Sequence, residues 1–192
     1  MCRFSDASKR KVGNTILYIA QKAKYPYKTE ILKLLFLMEE RMVQQYHIPF
    51  LAIPFSVWRL GPVSIDIFQE LSDGPVIFDE YITLQQSDSA VKVLPKKAFD
   101  EDEFSDAELS MMKSIMDKYG WMNSSQLIEE THKDGSLWKI TAQENGLLDD
   151  FETKRASSSC ISIDMGLQLC PDAKKFYDET LAVRISASKM QI

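Results

Sequence analysis

The sequence predicts a mainly helical α+β protein, a compact bundle of about six to seven helices beside a small antiparallel sheet. Three observations carry this. Ile31 to Met38 is apolar at every position except Lys33, the pattern of a helix enclosed on nearly all sides. Leu109, Met112, Ile115, Met116 and Tyr119 form an apolar stripe at helical spacing, opened by a Ser105-x-x-Glu108 capping box and closed by Gly120. Between about residues 53 and 95, short runs of strand-forming side chains alternate with Gly, Pro, Asp and Ser.

In chain order, Ser5 caps a first helix whose face is Val12, Ile16, Ile19, Ala20 and Ala23, and Pro26 ends it. A second helix runs from Thr29 to about Gln45, with Glu39, Glu40 and Arg41 returning it to solvent. His47 to Pro54 is a connection with two prolines. Phe55, Val57 and Trp58 are extended, Gly61 makes a corner, and Pro62 takes the first position of a helix carrying Val63, Ile67, Phe68 and Leu71. Such a corner sets Trp58 and Arg59 beside helix-start N–H groups, a place for a ligand or for an ordinary connection. Asp73-Gly74-Pro75 breaks the helix.

Tyr81 to Gln85 and Val91 to Leu94, joined across Ser87, Asp88 and Ser89, read as a hairpin that joins the Phe55 to Trp58 strand in one small sheet. Asp100 to Glu103 is an exposed linker or a charged approach to the next helix. Asn123 or Ser124 caps a helix through Leu127 and Ile128 to Thr131 and His132, and Asp134-Gly135 turns the chain toward Trp138. Lys154 to Ser159 is a polar, flexible loop. Ser162 caps a short helical turn through Leu167, and Pro171 opens a last helix with Ala173, Phe176, Tyr177, Thr180 and Leu181 on one side and a frayed tail beyond Ser186. The expected organisation is a helical domain over residues 1–155, with its β insertion at about 53–95, and a helical extension over 156–192 packed on it.

Of the 192 residues 45% are hydrophobic, enough for a real core. A formal charge of -5 argues against a partner held mainly by phosphate neutralisation. Nucleic acid has one route, the N-terminal region with Arg3, Lys9, Arg10, Lys11, Lys22, Lys24 and Lys28 against only Asp6 and Glu30, although Lys9-Arg10-Lys11 also reads as a solvated helix face. Cys2, Cys160 and Cys170 show no paired spacing, which suits a reducing cytoplasm. No run has signal-peptide or bilayer length, so a membrane partner is not expected.

Glu129 and His132 share a helix face in the Glu-x-x-His spacing of di-iron bundles, which require a second such pair and two more glutamates. His47, the other histidine, has no matching glutamate, so no metal or cofactor is expected and His132 reads as closing a helix C-terminus. Ser124, Ser125 and Ser136 lie near His132 without a Gly-x-Ser-x-Gly elbow, and the seven glycines form no phosphate loop. The chain therefore reads as non-enzymatic, with hydrolytic or metal chemistry at His132 as the alternative.

Lys33-Leu34-Leu35-Phe36, Trp58-Arg59-Leu60-Gly61-Pro62-Val63, and Tyr119-Gly120 followed by Thr131-His132 and Gly135-Ser136-x-Trp138 together resemble the Panacea domain family, also called SocA-like antitoxin or GepA-like phage-associated. The resemblance reaches from about residue 8 to about residue 140, and Leu137 stands where the family pattern has Pro. It implies a mostly helical domain that binds a cognate toxin protein and neutralises it, in some members by delivering the toxin to a protease. Autoregulation of its own operon by DNA binding is a further alternative. The pattern positions Lys33, Leu34, Leu35, Trp58, Gly61, Pro62, Val63, Thr131, His132, Gly135 and Trp138 either hold the fold or touch a partner. Tryptophans and a Gly-Pro corner are what a fold needs, which favours scaffold.

Overall fold

The computed structural model describes residues 4–87 and 90–190. Cys2, Arg3, Asp88 and Ser89 lie outside the described residues. The chain is an α+β fold dominated by helices: α1 (Asp6–Lys22), α2 (Lys28–Tyr46), β1 (Ser56–Trp58), β2 (Gly61–Val63), α3 (Ile65–Asp73), β3 (Ile82–Gln86), β4 (Val91–Pro95), a 3-10 turn at Glu101–Glu103, α4 (Asp106–Tyr119), α5 (Ser124–Thr131), α6 (Leu137–Glu144), α7 (Leu148–Glu152) and α8 (Pro171–Met190). The sequence predicts six to seven helices, and the described residues form eight. The additions are α6 and α7, short helices whose apolar residues are too few to show a period.

α2 is the central post. It packs against α1, α3, α4, α5, β2 and β4, and every residue from Ile31 to Met38 is buried, Lys33 included. Three expected helix starts are met. The Ser5 side chain accepts the Ser8 amide at 3.2 Å, the full capping box forms at Ser105 and Glu108, and Asn123 and Gln126 make a second box at α5.

The corner after Trp58 differs from the expectation. Gly61, Pro62 and Val63 form a strand, paired antiparallel so that Ser56 faces Val63, Val57 faces Pro62 and Trp58 faces Gly61. Arg59 and Leu60 make a two-residue turn, and Gly61 takes φ +98°, a left-handed value open to glycine. Pro62 is thus not the first residue of a helix, which begins at Ile65. The register tolerates proline because the Val57 N–H points the other way, to the Ile161 carbonyl at 2.9 Å, so no ladder bond is lost.

Nor do the strands share one sheet. β1 pairs with β2 and β3 with β4, as two separate hairpins. The outer edge of β1 is taken by residues 157–163, which include the end of the loop expected to be flexible and the start of the expected helical turn: Arg59 N–H donates to Ser157 O at 3.0 Å, Ser159 Oγ to Val57 O at 2.6 Å and Ile163 N–H to Phe55 O at 2.8 Å. Ser162 accordingly sits in a β-bridge with Ser56 and caps no helix. The unpaired edge amides of β1 need acceptors, and this stretch supplies them. In α8, Ala173 and Tyr177 are buried while Phe176 is 52% exposed, so only part of the expected stripe packs. The helix also continues beyond Ser186 to Met190.

Glu39 does not return α2 to solvent. It is buried and accepts the amides of Phe50 and Leu51 at 3.1 and 2.6 Å, closing the tight turn between the two prolines. Burial raises its carboxyl above the ordinary range, and those amides and Arg184 oppose the rise. Arg184 of α8 also donates to Phe50 O at 2.8 Å, pinning the last helix over this turn. Glu70 plays the same part for Val76, Ile77 and Phe78, at 2.9, 2.8 and 3.2 Å.

Leu35, at 0% exposure on the central helix, is expected to lose about 2 to 5 kcal/mol on truncation to Ala. Urea denaturation of Leu35→Ala beside Val76→Ala, which is 79% exposed and expected to shift stability by less than about 0.5 kcal/mol, checks this.

Candidate functional site

The three sequence motifs meet at the hairpin β1–β2. Lys33 enters from α2, and its Nζ donates to the Pro62 carbonyl at 2.9 Å with the residue 1% exposed. Gly61 lies against it. A Cβ there would stand 2.8 Å from Lys33 Cε and 2.9 Å from Thr131 Oγ1, so the absence of a side chain is what lets α2, β2 and α5 close on one another. Thr131, at the end of α5, is buried and donates to Ile128 O at 3.0 Å. Leu34 and Leu35 are in the core below, and Val63 is buried opposite Ser56.

Beside this centre lies an aromatic layer. Trp138 Nε1 donates to the Trp58 carbonyl at 2.9 Å. Its ring meets His132 edge-on at 3.6 Å between centroids and stacks on Phe151 at 6.1 Å. The Trp58 ring rests on Phe68 of α3 at 4.9 Å. Trp58 is therefore linked to the His132 region through Trp138. Gly135 stands apart. A Cβ there would meet nothing within 4 Å, and its φ of +80° serves the turn before α6. Ser136 pins that turn twice, donating to Thr131 O at 2.8 Å and accepting the Lys139 amide at 3.1 Å. Leu137 is the first residue of α6, a position where proline also fits, so the departure from the family pattern leaves the turn intact.

Burial sets the electrostatics. It pulls the Lys33 ammonium down from 10.5 to about 7, against the field of Glu30 one turn earlier. It likewise lowers His132 from 6.5 to about 4, helped by the charges of Lys33 and Lys139 and opposed by a bond to the Ile128 carbonyl. The His132 Nε2 atom is buried without a protein partner, as suits a neutral ring. Glu30 is pushed up by burial and held back by its own amide, the Ser124 amide and Lys33. It is buried beside the start of α5, a placement that no motif in the sequence marks.

Other candidates fall elsewhere. His132 is the C-cap residue of α5, its amide donating to Ile128 O and Glu129 O. Among the described residues no group of three or more His, Cys, Asp or Glu is placed to hold a metal ion. On α1, Lys9 pairs with Glu80 at 3.1 Å, Arg10 with Glu103 at 2.9 Å, and Lys11 with Glu108. No helix of the described residues is long and apolar enough to cross a membrane.

The family model described as Antitoxin SocA-like, Panacea domain matches residues 31–139, more than half of the chain. The chain belongs to the Panacea domain family. No curated protein and no solved structure matches it. The span matched by the Panacea domain begins inside α2 and ends just after Trp138, so it takes in every position at which the sequence resembles the family, while α1 and everything from α7 onward lie outside it.

Two expectations follow. The folded Lys33 holds fewer protons than the unfolded chain between about pH 7 and 10.5, so stability rises with pH across that window, by up to about 1.4 kcal/mol per pH unit for one proton. His132 adds a rise between about 4 and 6.5. Glu40, held up at about 7 by burial and by Glu130 against the pull of Arg41, acts in the opposite sense between 4.5 and 7, since it binds its proton more tightly when folded. The window above pH 7 is therefore where Lys33 shows. Urea melts at about pH 7 and pH 9.5 are expected to give a gain for the wild type and a flatter response for Lys33→Met. Gly61→Ala is expected to cost about 1 to 3 kcal/mol, from the positive φ and the Lys33 contact together, measured by the same melts.

Proposed function

We propose that this Panacea domain is a non-catalytic, protein-binding antitoxin that neutralises a cognate toxin in the cytoplasm. The observation that carries the reading is the family match over residues 31–139. The convergence of the motifs supports the non-catalytic part. Lys33 and Thr131 are buried and their hydrogen bonds run to backbone carbonyls, and the depressed His132 packs on Trp138. On this reading Lys33, Leu34, Leu35, Trp58, Gly61, Pro62, Val63, Thr131, His132, Gly135 and Trp138 form a scaffold, and the partner meets other residues. The DNA-binding alternative rests on the basic N-terminal region and on the family's association with self-regulating operons; within that region Lys9, Arg10 and Lys11 are each paired with a carboxylate.

Co-expression with the neighbouring gene product tests the proposal. That product is expected to arrest growth alone and to be tolerated beside this protein. A product harmless alone, or equally toxic in both cases, overturns the reading. Toxin abundance then separates two mechanisms: a shortened half-life in the presence of this protein marks delivery to a protease, and an unchanged one marks sequestration.

A further inference from the structure

The hairpin β3–β4 leaves one strand edge open. Its ladder is fixed by a bond at either end, Ser87 N–H to Ala90 O at 3.0 Å and Lys96 N–H to Tyr81 O at 2.8 Å. With Leu84 opposite Val93, the alternation of an antiparallel pair turns the backbone groups of Thr83 and Gln85 toward β4 and those of Ile82, Leu84 and Gln86 away from it. Ile82 N–H is taken by Phe78 O at 3.1 Å. Among the described residues nothing bonds to Ile82 O, or to the N–H and O of Leu84 and Gln86. The other edges are occupied: β1 by residues 157–163, β4 through Val93 N–H on Pro26 O at 2.8 Å, and β2 through Lys33 on Pro62 O. An exposed edge is ordinarily protected by a charge, a proline or a bulge. β4 carries Lys92 and Pro95, whereas Ile82-Thr83-Leu84-Gln85-Gln86 has none of the three.

Such an edge is completed by another extended backbone, and β3 itself matches it. In an antiparallel pairing with β3 of a second copy, centred on Leu84, Leu84 faces Leu84, Thr83 faces Gln85 and Ile82 faces Gln86. Each Leu84 N–H then donates to the other Leu84 O, and each Gln86 N–H to the other Ile82 O. Only Gln86 O is left over, opposite the Ile82 N–H that Phe78 already holds. The side chains agree with this register. Half-buried Leu84 covers its twin, and exposed Thr83 and Gln85 form polar cross-strand pairs on the outer face. No like charges oppose one another within the strand, and Glu80, just before it, is held by Lys9 and Lys97 at 3.1 and 3.6 Å. This self-complementarity about a single residue is what a two-fold interface requires, and it selects a second copy over a foreign strand.

We propose that two copies of this chain associate through β3, antiparallel and centred on Leu84, into a continuous sheet of order β4, β3, β3, β4. The pairing is independent of the antitoxin reading. Sedimentation equilibrium of the full chain from about 5 to about 500 µM, a range that brackets a weak complex, is expected to show monomer and dimer in exchange. Amide shifts at Ile82 to Gln86 are expected to follow the same concentration dependence. Thr83 and Gln85 are exposed, so their side chains test the register without disturbing the core. Thr83→Lys combined with Gln85→Lys sets lysine against lysine in both outer pairs and is expected to weaken association at least about tenfold. Thr83→Lys combined with Gln85→Glu sets lysine against glutamate and is expected to retain or strengthen it. Gln86→Pro removes an outward N–H that the β3–β4 ladder does not use, and is expected to abolish the dimer. A wild type that stays monomeric throughout overturns the proposal, including one whose β3 accepts only a strand of another protein. So does a dimer that Gln86→Pro leaves unchanged, or one that the two double variants affect equally.

Discussion

One ammonium group, buried midway along an otherwise apolar helix, governs how the elements around α2 are placed. A lysine that is 1% exposed is tolerated only if its donors find acceptors, and Lys33 finds the Pro62 carbonyl. That carbonyl is available because Pro62 sits in a strand whose partner residue, Val57, bonds on its other side. Reaching it requires the hairpin to lie directly on α2, with no Cβ at position 61. Thr131 closes the same point from α5. One polar contact thereby sets the position of the hairpin relative to two helices, which apolar packing alone, being non-directional, would not do.

The same physics recurs with the sign reversed in the loops. Glu39 and Glu70 are both buried, and each accepts backbone amides that a turn leaves without a partner. A short connection that cannot reach water needs such an acceptor. These glutamates lie on α2 and α3 and organise the connections around those helices. Removing one carboxylate would leave two or three amides unsatisfied at once, so each acts on a whole turn and not on a single contact.

What was legible in the sequence followed from periodicity and caps. The apolar run of α2, the capped stripe of α4 and the α5 boundary all declare themselves within a few residues. The fate of Pro62 did not, because a proline after glycine suits both a helix start and a hairpin strand, and the choice was made by Lys33, remote in sequence. Glu39 looked like the return to solvent for a related reason: its partners, Phe50 and Leu51, belong to a turn that exists only once the helix is packed. At the candidate site, Lys33, Trp58, Gly61, Thr131 and Trp138 were legible as positions, whereas their contacts arise only in the packed fold. Glu30 was invisible, since an acid in a first helical turn is ordinary and its burial depends on α5 arriving from nearly a hundred residues away.

The division between the matched span and the remainder has a physical reading of its own. β1 ends up between β2 and the 157–163 segment, so a chain cut after Trp138 would leave the Val57 and Arg59 amides on an open strand edge, a template for unwanted pairing. The segment after α7 covers that edge, and α8 is fixed beyond it through Tyr177 and Arg184. Its outer side, with Phe176 at 52% and Val183 at 68% exposure, takes no part in this packing. The C-terminal region thus completes the hairpin on which the motifs converge. Loss of this region would be felt first at β1, far from α8 in sequence, because the edge it protects belongs to the strand that carries Trp58.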